Sequence, residues 1–217
     1  MATAVLTISS KNYSSWSLRG WLLCKMAGLD FHEEVMSSDD PSTRAELLLL
    51  SPSFLVPCLL HDGVKVWDTL AIAEYLAEIR PEAGILPKDL AARAHCRAVA
   101  GEMHSGFHNL RSALPMNLKA HFPQFSVWTG AQGDIERVCT IWRECLDKYG
   151  GPYLFGGLSL ADAMYAPVCT RFLSYDVKLD SDCAGYCETI SNWPPMQEWT
   201  EAAKLEPEEL EELDVEF

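Results

Sequence analysis

"VPCLLHDGVKVWDTLAIAEYL", residues 56–76, packs three structural signals into 21 positions. Two short apolar runs, 56–60 and 64–67, flank His61-Asp62-Gly63, a turn sequence that favours a two-stranded hairpin. Pro57 leads the first run; proline has no N–H to give to a sheet ladder, so it belongs at a strand's start or edge. Directly behind the second run, "DTLAIAEYLAEIR" repeats apolar residues at helical spacing, with Asp68 as the cap.

Outward from this stretch the pattern extends in both directions. Upstream, "TAVLTIS" (3–9) predicts a strand, and "SWSLRGWLLCKMAG" (15–28) a helix on Leu18, Trp21, Leu22 and Met26 that stops at Gly28. "DFHEEVM" (30–36) alternates like a strand, and "DPSTRAELLLL" (40–50) opens a helix with Asp40 and Pro41. The resulting order, βαβαββα, is the layout of a thioredoxin-like domain. In that layout the Val56–Pro57 bond is expected to be cis, an isomer open to X-Pro at small cost. Downstream, "RPEAGILPKD" (80–89) is a loop. Helical patterns then take over at roughly 88–114, 134–148, 159–172, 176–189 and 194–204. The expected organisation is an α/β unit over residues 1–81, a linker over 82–88 and an all-α unit over 89–217.

The chain has 217 residues, 48% of them hydrophobic, and a formal net charge of −14. It is long enough to bury a sizeable core. The acidity excludes a nucleic-acid or anionic-membrane partner, which would need a basic face. The acidic run "EPEELEELDVEF" (206–217) is expected to be a solvated tail. No stretch reaches the apolar length of a membrane span, and the first residues lack the charged-then-apolar pattern of an export signal. A soluble, cytoplasmic protein is expected, with its eight cysteines as buried thiols and no metal site.

"NYSSWSLRG", residues 12–20, places Ser14, Ser15 and Ser17 around Trp16 at the mouth of the first helix. Serines there either cap the helix or present a hydroxyl beside its free N–H groups. On the residues alone both readings stand.

Taken together, "NYSSWSLRG", "SPSFLVPCLLHDG", "VWDTLAIAEYL" with "RPEAGILP", and "LFGGLSLADAMYAPV" resemble the glutathione transferase family over nearly the whole chain. The opening is similar to the zeta class and to a bacterial group beginning "NYSSWSLR"; "SPSFLVPCLL" is similar to the omega class. The resemblance implies a cytosolic homodimer that binds glutathione on the α/β unit and adds its thiolate to a small, largely apolar electrophile. It carries the active hydroxyl to Ser14, with Ser15 and Ser17 in support, the backbone of Val56 and Pro57 to the cysteinyl part, and Asp68 and Thr69 to the γ-glutamyl end. Arg19 is implied to be a structural brace. Trp16 stands where zeta enzymes have the cysteine of their isomerase reaction. The usual lysine before the proline-led strand is missing, which leaves Lys11, Lys65 or Arg19 for the glycyl carboxylate.

The electrophile pocket is expected between the two units, with Trp16 and the helical stripe Met103, Phe107 and Arg111 as its walls. His104 and His108 would share a helical face at i, i+4, without the third ligand that zinc needs. Ser159 and Asp162 in "LSLAD" form a capping box, expected to serve folding. Alternatives to transfer are a glutathione-dependent isomerase or peroxidase, or a non-catalytic binding protein of the same fold.

Overall fold

The computed structural model describes residues 4–36 and 56–207; the helix expected at 40–50 and the tail beyond 207 lie outside the described residues. Strands β1 (Ala4–Ile8), β2 (Phe31–Val35), β3 (Cys58–His61) and β4 (Val64–Trp67) form one sheet in the order β2-β1-β3-β4. β2 runs parallel to β1, while β3 is antiparallel to both β1 and β4. β1 lies inside the sheet, with Ala4, Leu6 and Ile8 fully buried. β2 lies at an edge, where exposed His32 and Glu34 oppose pairing with a further strand. Between β3 and β4, Asp62 (φ 49°) and Gly63 (φ 80°) are both left-handed, as a two-residue type I′ hairpin turn requires.

Helix α1 (Ser15–Met26) crosses from β1 to β2 and buries Leu18, Trp21, Leu22 and Leu23. It reaches the sheet through Gly20: a Cβ there would lie 2.4 Å from Cγ of Pro57, whose bond to Val56 is cis. The proline ring is stiff and cannot step aside. Gly20→Ala is therefore expected to cost about 1–3 kcal/mol, as overpacking of a close contact does. Urea unfolding would read this as a lowered midpoint, and an unchanged midpoint would refute the close approach. Helix α2 (Thr69–Ile79) follows, with Asp68 accepting from the Leu70 amide at 2.8 Å.

The connection to the helical half is anchored at buried Ile85, whose carbonyl accepts from the Leu160 amide at 2.7 Å. The helical half comprises α3 (Leu90–Ser105), α4 (His108–Ala113), α5 (Gln132–Tyr149), α6 (Leu160–Ser174), α7 (Ser181–Ser191) and α8 (Pro194–Lys204). α6 is buried on nearly every face, as a helix apolar all round must be, and packs against α1, α3 and α7. Beside it, the Trp142 ring of α5 meets Tyr165, Phe172 and Tyr186 at centroid distances of 6.0, 5.4 and 4.8 Å.

Four expectations are corrected. The pattern at 88–114 is two helices, broken where Gly106 lies so close to the Glu102 carbonyl that a Cβ would sit 2.8 Å from it, and where Phe107 turns left-handed at φ 59°. The helical spacing of apolar residues runs across this break, so periodicity could not reveal it. Met103, Phe107 and Arg111 therefore do not form one stripe: Met103 before the break and Phe107 at it are core residues, 0% and 7% exposed, and Arg111 beyond it is half-buried. His104 and His108 fall on different helices and share no face. The last-but-one helix begins at Ser181 rather than 176, capped by Asp180, which accepts from the amides of Asp182 and Cys183 at 3.1 and 2.9 Å.

All eight cysteines are buried thiols, and no described helix is long and apolar enough to cross a membrane.

Candidate active site

The β1–α1 loop carries the three serines, and their surroundings separate them. Ser17 is fully buried; its hydroxyl accepts from the Ser9 amide at 3.0 Å. Ser15 is buried too, and its hydroxyl accepts from Arg19 at 3.4 Å and Arg171 at 3.3 Å. Ser14 is half-buried and caps α1: its oxygen accepts from the Ser17 amide at 3.2 Å while its proton goes to the Ser17 hydroxyl at 2.9 Å. Of the three, Ser14 is the only one that is not buried. Around it the helix start offers amides with no intrahelical acceptor and the positive end of the helix dipole.

The loop is held from both sides. Asn12, fully buried, donates to the Asn117 side chain at 3.0 Å and accepts from the amides of Leu118 and Lys119 at 2.7 and 3.0 Å. The Glu206 carboxylate accepts from the Ser10 hydroxyl at 2.8 Å and from the amides of Lys11 and Asn12 at 2.7 and 3.1 Å. The first residue of the acidic tail is therefore a clamp on this loop rather than part of a solvated run. Neither Asn12 nor Glu206 carried any local sequence signal for this, because each acts on backbone groups far along the chain.

Val56 and Pro57 stand at the head of β3, next to α1. Asp68 has a left-handed φ of 73°; one carboxylate oxygen caps α2 and the other lies 2.6 Å from Nε2 of His104. His104 in turn meets the Trp16 ring edge-on at 5.2 Å. Thr69 is buried, and its hydroxyl finds no partner among the described residues. Trp16, His104 and Asp68 thus form one chain of contacts that links the start of α1, where Ser14 is the cap, to the start of α2.

Two of the three candidates for a glycyl carboxylate, Lys11 and Arg19, are already engaged. Lys11 is ion-paired to Glu33 with its side chain 14% exposed. Arg19 is 1% exposed and donates through Nε to the Met164 carbonyl at 2.8 Å, which ties α1 to α6. Burial holds its pKa well below the usual range for arginine, with Arg171 and Arg111 adding repulsion. Trp16, half-buried, has the Arg19 guanidinium 4.5 Å and the Arg111 guanidinium 4.7 Å from its ring centre. Trp16 and Arg111 were expected at the pocket and do meet; Arg171, the third arginine here, was missed.

Comparison with known proteins accounts for this arrangement. Residues 13–79 match the glutathione S-transferase N-terminal domain and residues 92–202 the glutathione S-transferase C-terminal domain. A probable maleylacetoacetate isomerase of Caenorhabditis elegans is 31% identical over 71% of this chain and 72% of its own. Glutathione S-transferase 1 of Dianthus caryophyllus is 29% identical over 76% of each chain. Among solved structures, a Burkholderia glutathione transferase homolog with bound glutathione superposes with a TM-score of 0.69 at 22% identity, covering 93% of this chain and 97% of the other. With both domain matches in order along a four-stranded mixed sheet and a helical second half, the chain belongs to the glutathione S-transferase family.

Proposed function

We propose that the protein binds glutathione against β3 and the start of α2 and adds its thiolate to a small electrophile, with the Ser14 hydroxyl stabilising the thiolate. The observation that carries this is Ser14, the one half-buried serine of the three, standing as cap at the N-terminus of α1. A thiol with a pKa of about 8.5 is mostly protonated at neutral pH, and the thiolate is the nucleophile. One hydrogen bond to a charged acceptor contributes about 1.5–3 kcal/mol, enough for a shift of one or two pKa units. Val56 presents backbone groups to the cysteinyl part as an added strand would. Asp68 and the unpartnered Thr69 hydroxyl receive the γ-glutamyl end, whose carboxylate suits a helix N-terminus. The bound glutathione of the Burkholderia homolog supports the same co-substrate here. The protein is proposed to work in the cytoplasm as a homodimer; the exposed apolar side chains Leu60, Val64 and Trp67 on the hairpin support an interface there.

The name of the C. elegans relative favours a second reading, a glutathione-dependent isomerase. Trp16 in the place of the zeta cysteine counts against it. Purified protein assayed with aryl halides, enones, epoxides and a cis enedione separates the two. Conjugation is expected to consume glutathione in proportion to product, whereas isomerisation leaves its concentration unchanged. A protein that neither retains glutathione nor acts on any of these refutes both.

A further inference from the structure

Residues 9–14 connect β1 to α1 and belong to neither. Such a segment takes its shape from whatever holds its backbone groups. Here the hold comes from the far end of the chain. α8 is anchored by the fully buried Trp199, whose ring N–H donates to the Lys11 carbonyl at 2.9 Å. Just past α8, the Glu206 amide donates to the Ala203 carbonyl at 3.1 Å, which keeps Glu206 against the end of that helix. The Glu206 side chain is half-buried and turned to the loop. One of its oxygens accepts from the Lys11 amide at 2.7 Å, the other from the Ser10 hydroxyl at 2.8 Å and the Asn12 amide at 3.1 Å. Lys11 is thus gripped by its carbonyl and by its amide, and Lys119 Nζ donates to the Glu206 carbonyl from the helical half.

From Glu206 the contacts reach Ser14 through a single residue. The Ser10 hydroxyl that donates to Glu206 also accepts from the Asn12 and Tyr13 amides at 3.1 and 3.2 Å, and the Ser10 carbonyl accepts from the Ser14 amide at 3.1 Å. Bonds to a carboxylate are about twice as strong as neutral ones, so this is the firm end of the chain of contacts. Charge and position act in opposite directions here. The negative charge of Glu206 disfavours a sulfur anion nearby, whereas its hold on the loop favours one by fixing the donor.

We infer that Glu206 is a positioning residue for the conjugation reaction: it fixes the loop ahead of α1, and so the place from which the Ser14 hydroxyl meets the glutathione sulfur. This rests on the reading of Ser14 as the thiolate donor and adds to it a residue from the opposite end of the chain. A hydrogen bond weakens steeply with misalignment, and a displacement of about 1 Å in a catalytic group can cost about 100-fold in rate.

A double-mutant cycle on the full chain tests it, with glutathione and 1-chloro-2,4-dinitrobenzene. The sulfur bonds to the ring carbon, chloride leaves with the electron pair of the C–Cl bond, and the thiol proton passes to solvent. The thiolate absorbance of bound glutathione, followed against pH, reads the same interaction without turnover. Glu206→Ala is expected to raise the pKa of the bound thiol by about half a unit and to lower kcat/KM near neutral pH about threefold, with KM for glutathione little changed. Glu206→Gln keeps one acceptor oxygen without the charge and is expected to fall between wild type and alanine; being isosteric, it carries the same test if the alanine variant does not fold. In the Ser14→Ala background, removing Glu206 is expected to change neither quantity. A loss of equal size in both backgrounds, which a merely structural residue would give, overturns the inference. So does a thiol pKa that falls, as charge alone would make it, or one that does not move. Failure of the underlying reading is distinct: Ser14→Ala by itself then leaves the thiol pKa unchanged, and both readings fall.

Discussion

Ser14→Ala is expected to lower kcat/KM for conjugation about 10- to 100-fold near neutral pH while glutathione remains bound. The lost interaction is a hydrogen bond to a developing sulfur anion, about 1.5–3 kcal/mol, which converts to that range of rate. The hydroxyl must first leave Ser17, a neutral bond it makes at 2.9 Å, so the net gain falls at the lower part of the range. The sign of the pH dependence follows. Without Ser14 the bound thiol is less acidic, so the deficit is largest where free thiol dominates and shrinks as pH rises toward about 8.5 and the thiolate forms unaided. Ser14 is also the cap of α1, accepting from the Ser17 amide at 3.2 Å, and losing a cap typically costs about 1 kcal/mol. Thermal unfolding separates the two effects: a shift of only a few degrees is expected in a chain of this size. Conjugation that persists at full rate moves the role to Tyr13, since Ser15 and Ser17 are buried with their hydroxyls engaged.

Asp162→Ala is expected to lower stability by about 4 kcal/mol, or the melting temperature by roughly 8–16 °C, with glutathione affinity little changed at temperatures where the variant is folded. Asp162 is fully buried, and among the described residues no cation lies beside it. Its carboxylate accepts from the Ser159 amide at 2.8 Å, the Ser159 hydroxyl at 2.9 Å, the Leu154 amide at 3.0 Å and the Tyr186 hydroxyl at 3.1 Å. Burial raises this carboxyl to about 6, even against the four donors that favour its charged form. Truncation leaves four buried donors unanswered, and each unmet buried donor costs about 1–3 kcal/mol, though such penalties overlap within one network. Asp162→Asn sharpens the test: its amide keeps one acceptor but turns an N–H toward a donor, so it is expected to recover less than half of the loss. A melting temperature unaffected by either substitution would remove the box from the folding of α6.

Much of this was legible in the one-dimensional pattern. The hairpin at 61–64, the caps at Asp68 and Ser159, the helix ending near Gly28 and the proline-led strand are each set within a few residues, by φ preferences, missing N–H groups and reachable hydroxyls. The helix at 88–114 was misjudged for a related reason. Apolar spacing survives a one-residue left-handed break, while the direction of every side chain beyond it does not, so the stripe that Met103, Phe107 and Arg111 would have formed on one straight helix is lost.

Among the described residues, the strands and helices up to residue 79, the caps at Asp68 and Ser159 and the set of candidate hydroxyls were determined by the sequence alone, because each depends on contacts that close within one turn or one hairpin. Which serine is not buried, the pairing of Asp68 with His104, the clamp of Glu206 on the Ser14 loop and the gathering of Arg19, Arg111 and Arg171 around Trp16 were decided only by the tertiary structure. Each joins groups on separate elements, and such contacts are set by how helices and sheet pack, which no local spacing encodes.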